Sequence, residues 1–285
     1  MTKSTPIDVR ECHYRRMPVL AASEVTVRFG GLTALNRVSL TADTGEVVGV
    51  IGPNGAGKTT LFNVICGFVR PTSGRLEVDG RPLPRVHPHQ LVSLGIARTL
   101  QGVGLWQGMT VLDNVMVGAH RRHRSGFWSA LLGLPPSVRT ESAIRDSAVE
   151  VLDRLGIRDA ANHRPASLPY AIQKRASIAR ALVAEPRMLL LDEPASGLSA
   201  AEMDELGELI RELRSTMGVM LVEHHMDLVM TVCDRIVVLD FGAVIATGTP
   251  DQVRDDPAVT AAYLGQEVGQ ADAGPVTGGE PEGQA

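Results

Sequence analysis

The chain has 285 residues, 44% of them hydrophobic and 21% charged, which suits a globular protein with a substantial core. A formal net charge of −4 and only 4% aromatic residues argue against nucleic acid as a partner, since neither a basic footprint nor a base-stacking surface is provided. No run of about 18 apolar residues offers a membrane span, and no apolar stretch follows RECHYRR to make a secretory signal. Cys12, Cys66 and Cys233 have neither framework nor metal-ligand spacing and read as reduced thiols of a soluble intracellular chain.

Residues 1–17 are expected to be a disordered extension, or sequence ahead of a start at Met17. From Val19 to Leu40 the runs SEVTVRF and NRVSLTA alternate around GGLT, as strands do. GEVVGVI, Gly45–Ile51, is a continuous apolar run, the mark of a strand buried on both faces. GPNGAGKTTLFNVICGF reads as a glycine-rich turn entering a helix, and PTSGRLEVDGRPL as a hairpin-like insert. Residues 101–180 carry helical spacing in NVMVGAH, SAIRDSAVEVLDRLGI and QKRASIARALVAEP, and are expected to form a helical subdomain. HRRHR, His120–Arg124, reads as a solvated loop within it. Strands and helices then alternate from RMLLLDEP through DRIVVLDFG, which predicts a parallel sheet covered on both faces. Residues 266–285, rich in Gly, Glu, Pro and Gln, are expected to be a disordered tail.

GPNGAGKT, Gly52 to Thr59, fills every fixed position of G-x-x-x-x-G-K-[ST] between a buried strand and a helix, the context that motif needs. Gly55 and Gly57 let backbone N–H groups close around a phosphate, and the helix beginning near Lys58 presents its positive end. The Lys58 ammonium is placed for β/γ-phosphates and the Thr59 hydroxyl for a Mg²⁺ shell. Asn54, Ala56 and Thr60 complete the candidate nucleotide contacts. Downstream, four apolar residues in MLLLDE put Asp192 at the end of a central strand, where open α/β sheets gather ligands. Asp192 is the candidate Mg²⁺ carboxylate, and Glu193 is placed to orient or deprotonate an attacking water.

GPNGAGKTT, Gln101, LPYAIQKRASIARAL, LLLDEP, SGLS and EHH occur in the order and spacing of ATP-binding-cassette ATPases. From about residue 18 to 266 the chain resembles the ATP-binding subunits of branched-chain amino-acid importers, notably in RFGGLTAL, ARTLQGVGLWQGMTVLDNVMVGAH, GFWSALLGLP and ATGTPDQVRDDPAVTAAYLG. The resemblance implies an α/β fold: a P-loop NTPase core with a mostly parallel sheet, an antiparallel β subdomain and a helical subdomain, together spanning 18–265. It also implies ATP and Mg²⁺ as cofactors, with Phe29 stacking on adenine, Gln101 contacting Mg²⁺ and water, and His224 bonding the γ-phosphate. His225 stands where such proteins often have Asp, and Ser199 where Asp or Asn is more usual. Implied partners are a second ATPase subunit, making a heterodimer, two membrane permease subunits and, indirectly, an external solute-binding protein, all placing the chain at the cytoplasmic face of the plasma membrane. A low-turnover regulatory subunit and a non-transport cassette ATPase remain alternative readings.

The signature that normally reads leucine, serine, a small or aromatic residue, glycine, glutamine is here Leu168, Pro169, Tyr170, Ala171 and Ile172, followed by Gln173. By the resemblance this stretch binds the γ-phosphate held on the other subunit's P-loop. Pro169 brings neither hydroxyl nor N–H, and Ala171 adds a Cβ where close approach is needed. Losing one hydrogen bond to a charged group weakens such a contact about 10–150-fold. The N–H groups of Ala171, Ile172 and Gln173 are expected to survive as donors, leaving a weakened signature.

Overall fold

The computed structural model describes residues 19–99, 102–119 and 135–263. The expected extension and tail, Gln101, HRRHR and nearly all of GFWSALLGLP lie outside the described residues.

Strands β1 (Leu20–Phe29) and β2 (Leu32–Ala42) pair antiparallel across Gly30–Gly31. β3 (Val47–Ile51) leaves them for a second sheet and feeds helix α1 (Lys58–Ile65). β4 (Ser73–Val78) then returns to the free edge of β1 and turns into β5 (Arg81–Leu83) through Asp79 and Gly80, at φ 51° and 68°. Two left-handed residues in an Asp-Gly pair give the turn whose twist matches flanking strands. The result is a four-stranded antiparallel sheet ordered β2-β1-β4-β5.

After β6 (Ile96–Arg98) come helices α2 (Val111–Ala119), α3 (Pro135–Arg154) and α4 (Tyr170–Leu182). The alternation then resumes with β7 (Met188–Asp192), α5 (Ala200–Arg214), β8 (Gly218–Val222), α6 (Met226–Val232), β9 (Arg235–Asp240), β10 (Ala243–Gly248) and α7 (Pro250–Arg254). The larger sheet is ordered β10-β9-β3-β8-β7-β6, with β10 antiparallel to β9 and the other pairs parallel.

β3, β7 and β8 are buried at every residue, and their side chains divide by parity between two cores. Ile51, Leu189, Leu191, Val219 and Leu221 face the first, which continues into Val111, Leu112, Val115, Leu152 and Ile178 of α2–α4. Val48, Val50, Leu190, Met220 and Val222 face the second, with Leu61, Phe62 and Ile65 of α1 and Val25 and Val38 of the small sheet. The helical stretch thus shares its core with one face of the central sheet. Truncating any of these leucines to alanine costs about 2–5 kcal/mol. Two fully packed faces leave one useful place for chemistry, the strand ends, and β3, β7 and β8 all end on the same side.

Candidate functional site

The loop from β3 into α1 builds the centre of the site. Gly57, the residue before the helix, has φ 104°, and a Cβ there would stand 2.7 Å from the Ala34 carbonyl oxygen. Only glycine takes that conformation in that space without strain. The helix cap carries no side-chain hydrogen bond, so the first-turn N–H groups and the helix dipole point at whatever occupies the loop. Lys58 is 8% exposed, and its ammonium donates to the carbonyls of Gly52 and Pro53 at 2.6 and 2.9 Å. Burial pulls its pKa below the usual lysine value, partly opposed by the charge of Glu193.

A cleft of about 480 Å³ lies over this loop, lined by Phe29, Asn54, Gly55, Ala56, Gly57, Lys58, Thr59, Thr60 and Glu193 among the expected residues. Leu32, Thr33, Ala34, Phe241 and Gly242 line it too. Gly242 donates to Ala56 O at 3.0 Å, and its carbonyl accepts from Asn36 at 2.8 Å, so the β9–β10 turn is pinned beneath the cleft. Phe29 at the end of β1 is half exposed and presents its ring. Gly52 is buried at the base of the loop rather than in the cleft lining.

Asp192 and Glu193 follow one another off β7 but face different surroundings. Asp192 is 4% exposed, and its Oδ2 accepts from the Arg98 guanidinium at 2.6 Å. Glu193 sits at φ 47°, a left-handed conformation that costs a non-glycine residue about 1–3 kcal/mol. Two contacts hold it there: its N–H donates to Val222 O at 2.9 Å, and its carbonyl accepts from the Lys174 ammonium at 3.1 Å. That backbone aims the carboxylate into the cleft beside Lys58 and Thr59.

Register sets Asp192 opposite Val222, so the residues beyond β8 run alongside Glu193. Glu223 is fully buried, and its carboxylate accepts backbone N–H groups from Ala195, His224 and His225 at 2.7, 2.8 and 3.1 Å. Glu223, His224 and His225 lie close enough to suggest a metal cage, yet with three amides on it the carboxylate is ordering the loop instead. The His224 side chain is half exposed and stands at the strand end outside the cleft lining. Its ring stacks at a tilt on His225, centroids 4.3 Å apart.

The signature stretch begins with a 3-10 turn at Pro165–Ser167, and Pro169 is the residue before α4 rather than within its first turn. One expectation is corrected here. Gln173 N–H donates to Pro169 O at 3.1 Å, so it is spent inside the helix, and the uncommitted first-turn donors belong to Tyr170, Ala171 and Ile172. The Gln173 side chain bonds back to Leu168 O at 2.9 Å. Leu168 to Gln173 do not line the cleft over this chain's own P-loop. Ser199 begins α5 with a reciprocal capping box to Glu202.

Sequence reasoning missed Arg98, Lys174, Phe241 and Tyr263. Tyr263 packs on the first core, and burial raises its hydroxyl pKa against the opposing influence of the Gly52 backbone, which puts the C-terminal segment beside the start of the loop. Arg98 had one available signal, a basic residue within an apolar run, and Lys174, flanked by Gln173 and Arg175, had none.

Comparison with known proteins bears on the family and the fold. Residues 35–196 match the ABC transporter family, and residues 243–269 match the branched-chain amino acid ATP-binding cassette transporter family. The high-affinity branched-chain amino acid transport ATP-binding protein LivG of Salmonella typhimurium is 44% identical over 87% of this chain and 98% of its own. BraF of Pseudomonas aeruginosa, described in the same words, is 43% identical over the same shares. A lipopolysaccharide export ATP-binding protein, LptB of Haemophilus influenzae, is 33% identical over 88% and 99%. The crystal structure of a nucleotide-free ATP-binding cassette superposes with a TM-score of 0.75 at 29% identity, covering 87% of this chain and 99% of that one. A dimeric cassette in a post-hydrolysis state with ADP and Pi gives 0.68 at 26% identity, over 81% and 98%. By the family match over more than half of its length and its identity to these relatives, the chain belongs to the ABC transporter family of ATP-binding cassettes.

Proposed function

We propose that this chain binds and hydrolyses ATP to power an importer of branched-chain amino acids or a related small polar solute. The observation that carries this reading is the cleft in which Lys58, Thr59 and Glu193 meet over the P-loop. The triphosphate is held by the loop N–H groups and the Lys58 ammonium, which exchanges the Gly52 and Pro53 carbonyls for phosphate oxygens. Adenine lies against Phe29 at the open end. Glu193, fixed by its backbone, orients and deprotonates the attacking water, a contribution of about 10²–10⁴-fold. His224 and Gln101 act on the γ-phosphate side.

The donors present fit Mg²⁺, since the Thr59 hydroxyl and Asp192 carboxylate are hard oxygens flanking the loop that cradles phosphate. Bound there with ATP, Mg²⁺ would supply positive charge to offset that of the phosphates. Thr59, Asp192 and Gln101 would hold it.

The chain works as a pair, with Leu168–Gln173 completing the partner's nucleotide site, and we infer a heterodimer with a second ATPase subunit. Support for two permease partners comes from a groove of about 510 Å³ between β6 and helices α2 and α4, lined by Phe68, Leu91, Trp106, Val117 and Ala181. Phe68, Trp106 and Val117 are 60%, 51% and 41% exposed there, an apolar display that marks a protein contact. No helix among the described residues is long and apolar enough to cross a membrane, so attachment to the cytoplasmic face runs through those permeases.

ATP turnover of the assembled complex tests the reading. Glu193→Gln should lower it about 10²-fold or more while ATP still binds, and Lys58→Ala should weaken binding itself. Wild-type turnover in both variants would end the catalytic assignment.

A further inference from the structure

His225 stands at a capping position and caps nothing. It is the residue before α6, with φ −79° and ψ 96°, and its side chain makes no bond to the helix N–H groups. A side chain that caps is worth about 0.5–2 kcal/mol there. The imidazole instead lies against that of His224, with centroids 4.3 Å apart and planes 37° from parallel. Neither ring makes a hydrogen bond among the described residues; His224 Nδ1 stands 3.6 Å from Glu223 Oε2, too far for one. His224 is half exposed and His225 only partly buried, so both rings reach solvent.

The pair is held in place from below. The buried Glu223 carboxylate accepts the backbone N–H groups of both histidines and of Ala195. Three of its roughly four acceptor positions are thereby used, so Glu223 is first an anchor that sets the two histidines side by side. Donor atoms of Glu223, His224 and His225 all lie within 4.8 Å of one another, the one such group of three among the described residues. Two Zn–N bonds of about 2.0–2.1 Å bring their nitrogens within about 4 Å, a closure that small turns of two solvent-facing rings supply. Imidazole nitrogen suits zinc, copper and nickel, whereas Mg²⁺ keeps to oxygen. The two cation chemistries therefore separate in this chain, oxygens at the P-loop and nitrogens beyond the end of β8.

We propose that His224 and His225 together hold a divalent transition-metal ion of the zinc class, and that the bound ion withdraws His224 from the γ-phosphate and stalls hydrolysis with ATP still on the P-loop. Water and the last Glu223 lone pair complete the coordination. The inhibition rests on His224 acting at the γ-phosphate, so the test reads that role separately.

The experiment uses the full, untagged chain and its assembled complex, with free Zn²⁺ set by a nitrilotriacetate buffer. By calorimetry the parent should bind one Zn²⁺ that His225→Asn does not. Asn caps a helix as well as any residue, so the loop keeps its fold. His87 and His89, whose rings also stack at 5.3 Å, are common to both chains and cancel. In Mg²⁺-ATP, Zn²⁺ should stop turnover of the complex while binding of methylanthraniloyl-ATP is unchanged. His225→Asn should turn over like the parent without zinc, and its half-inhibiting Zn²⁺ should rise at least about tenfold, the lower end for loss of a group that supports a metal site. Equal zinc binding by the two chains, an unshifted midpoint, or loss of nucleotide binding in step with inhibition would each overturn the proposal, the last by placing the metal at the P-loop. Parent-like turnover in His224→Ala would remove His224 from the γ-phosphate and the inhibition with it. Lowered turnover there, beside an unshifted midpoint in His225→Asn, sinks the zinc proposal alone.

Discussion

Lys174 is 6% exposed, with its ammonium on the Glu193 carbonyl and 5.5 Å from the Tyr170 ring centre. Desolvation lowers its pKa, and the nearby charges of Glu223, Glu193 and Asp192 pull it back up. A buried lysine is tolerated only when such partners compensate it. Here it gives Glu193 an anchor against a strained backbone. Lys174→Met should therefore cost about 1–3 kcal/mol in denaturant unfolding and lower turnover as the Glu193 carboxylate loses its aim. Stability and turnover both at wild-type level would make the lysine a spectator. The P-loop was legible in the sequence because its geometry is local: each fixed position of GPNGAGKT answers a backbone requirement within a few residues. Lys174 and Arg98 were not, because their partners come from far along the chain; Arg98 meets Asp192 across 94 positions.

Among the elements, α4 departs most from its expectation. The helix does start at the signature, yet the residue before it, Pro169, has φ −53° and ψ 148° and offers no cap. Tyr170 folds over Gly197 of SGLS, where an added Cβ would come within 2.9 Å of its ring, so the signature packs against the segment leading to α5. The strands and helices themselves were readable from apolar runs and glycine punctuation. The spent Gln173 amide was not, because it depends on where the first intrahelical bond closes, a shift of one residue that propensity does not resolve. Placing Ser at 169 and Gly at 171 restores a hydroxyl and the close approach of backbone to phosphate. The double variant should raise turnover of the assembled complex, by up to about 150-fold if one charged hydrogen bond is regained in full. Turnover at the wild-type level would mean that the amides of Tyr170, Ala171 and Ile172 already suffice.

At the scale of the whole molecule, each core holds one buried thiol. Cys66 ends α1 in the core shared with the small sheet, and Cys233 ends α6 in the core shared with the helical layer, its sulfur packed over Gly49 of β3. Burial pushes the Cys66 thiol up to about 11 and the Cys233 thiol up to about 12, so neither reacts until its layer opens. Labelling rates therefore report the opening of each face of the central sheet separately. With Cys12 replaced by Ser, both thiols should label far more slowly in the native chain than in urea. ATP with Mg²⁺ at 100 times its dissociation constant adds about 2.7 kcal/mol to any opening that destroys its site. Cys66 stands at the far end of the P-loop helix, so its labelling should slow by up to about 100-fold. Cys233 should be slowed less, because α6 can lift from the sheet while the P-loop stays formed. Equal protection of the two would show that the chain opens as a single unit. A difference in the predicted sense would show that nucleotide stiffens one face and leaves the other, the face that carries α2–α4, free to move.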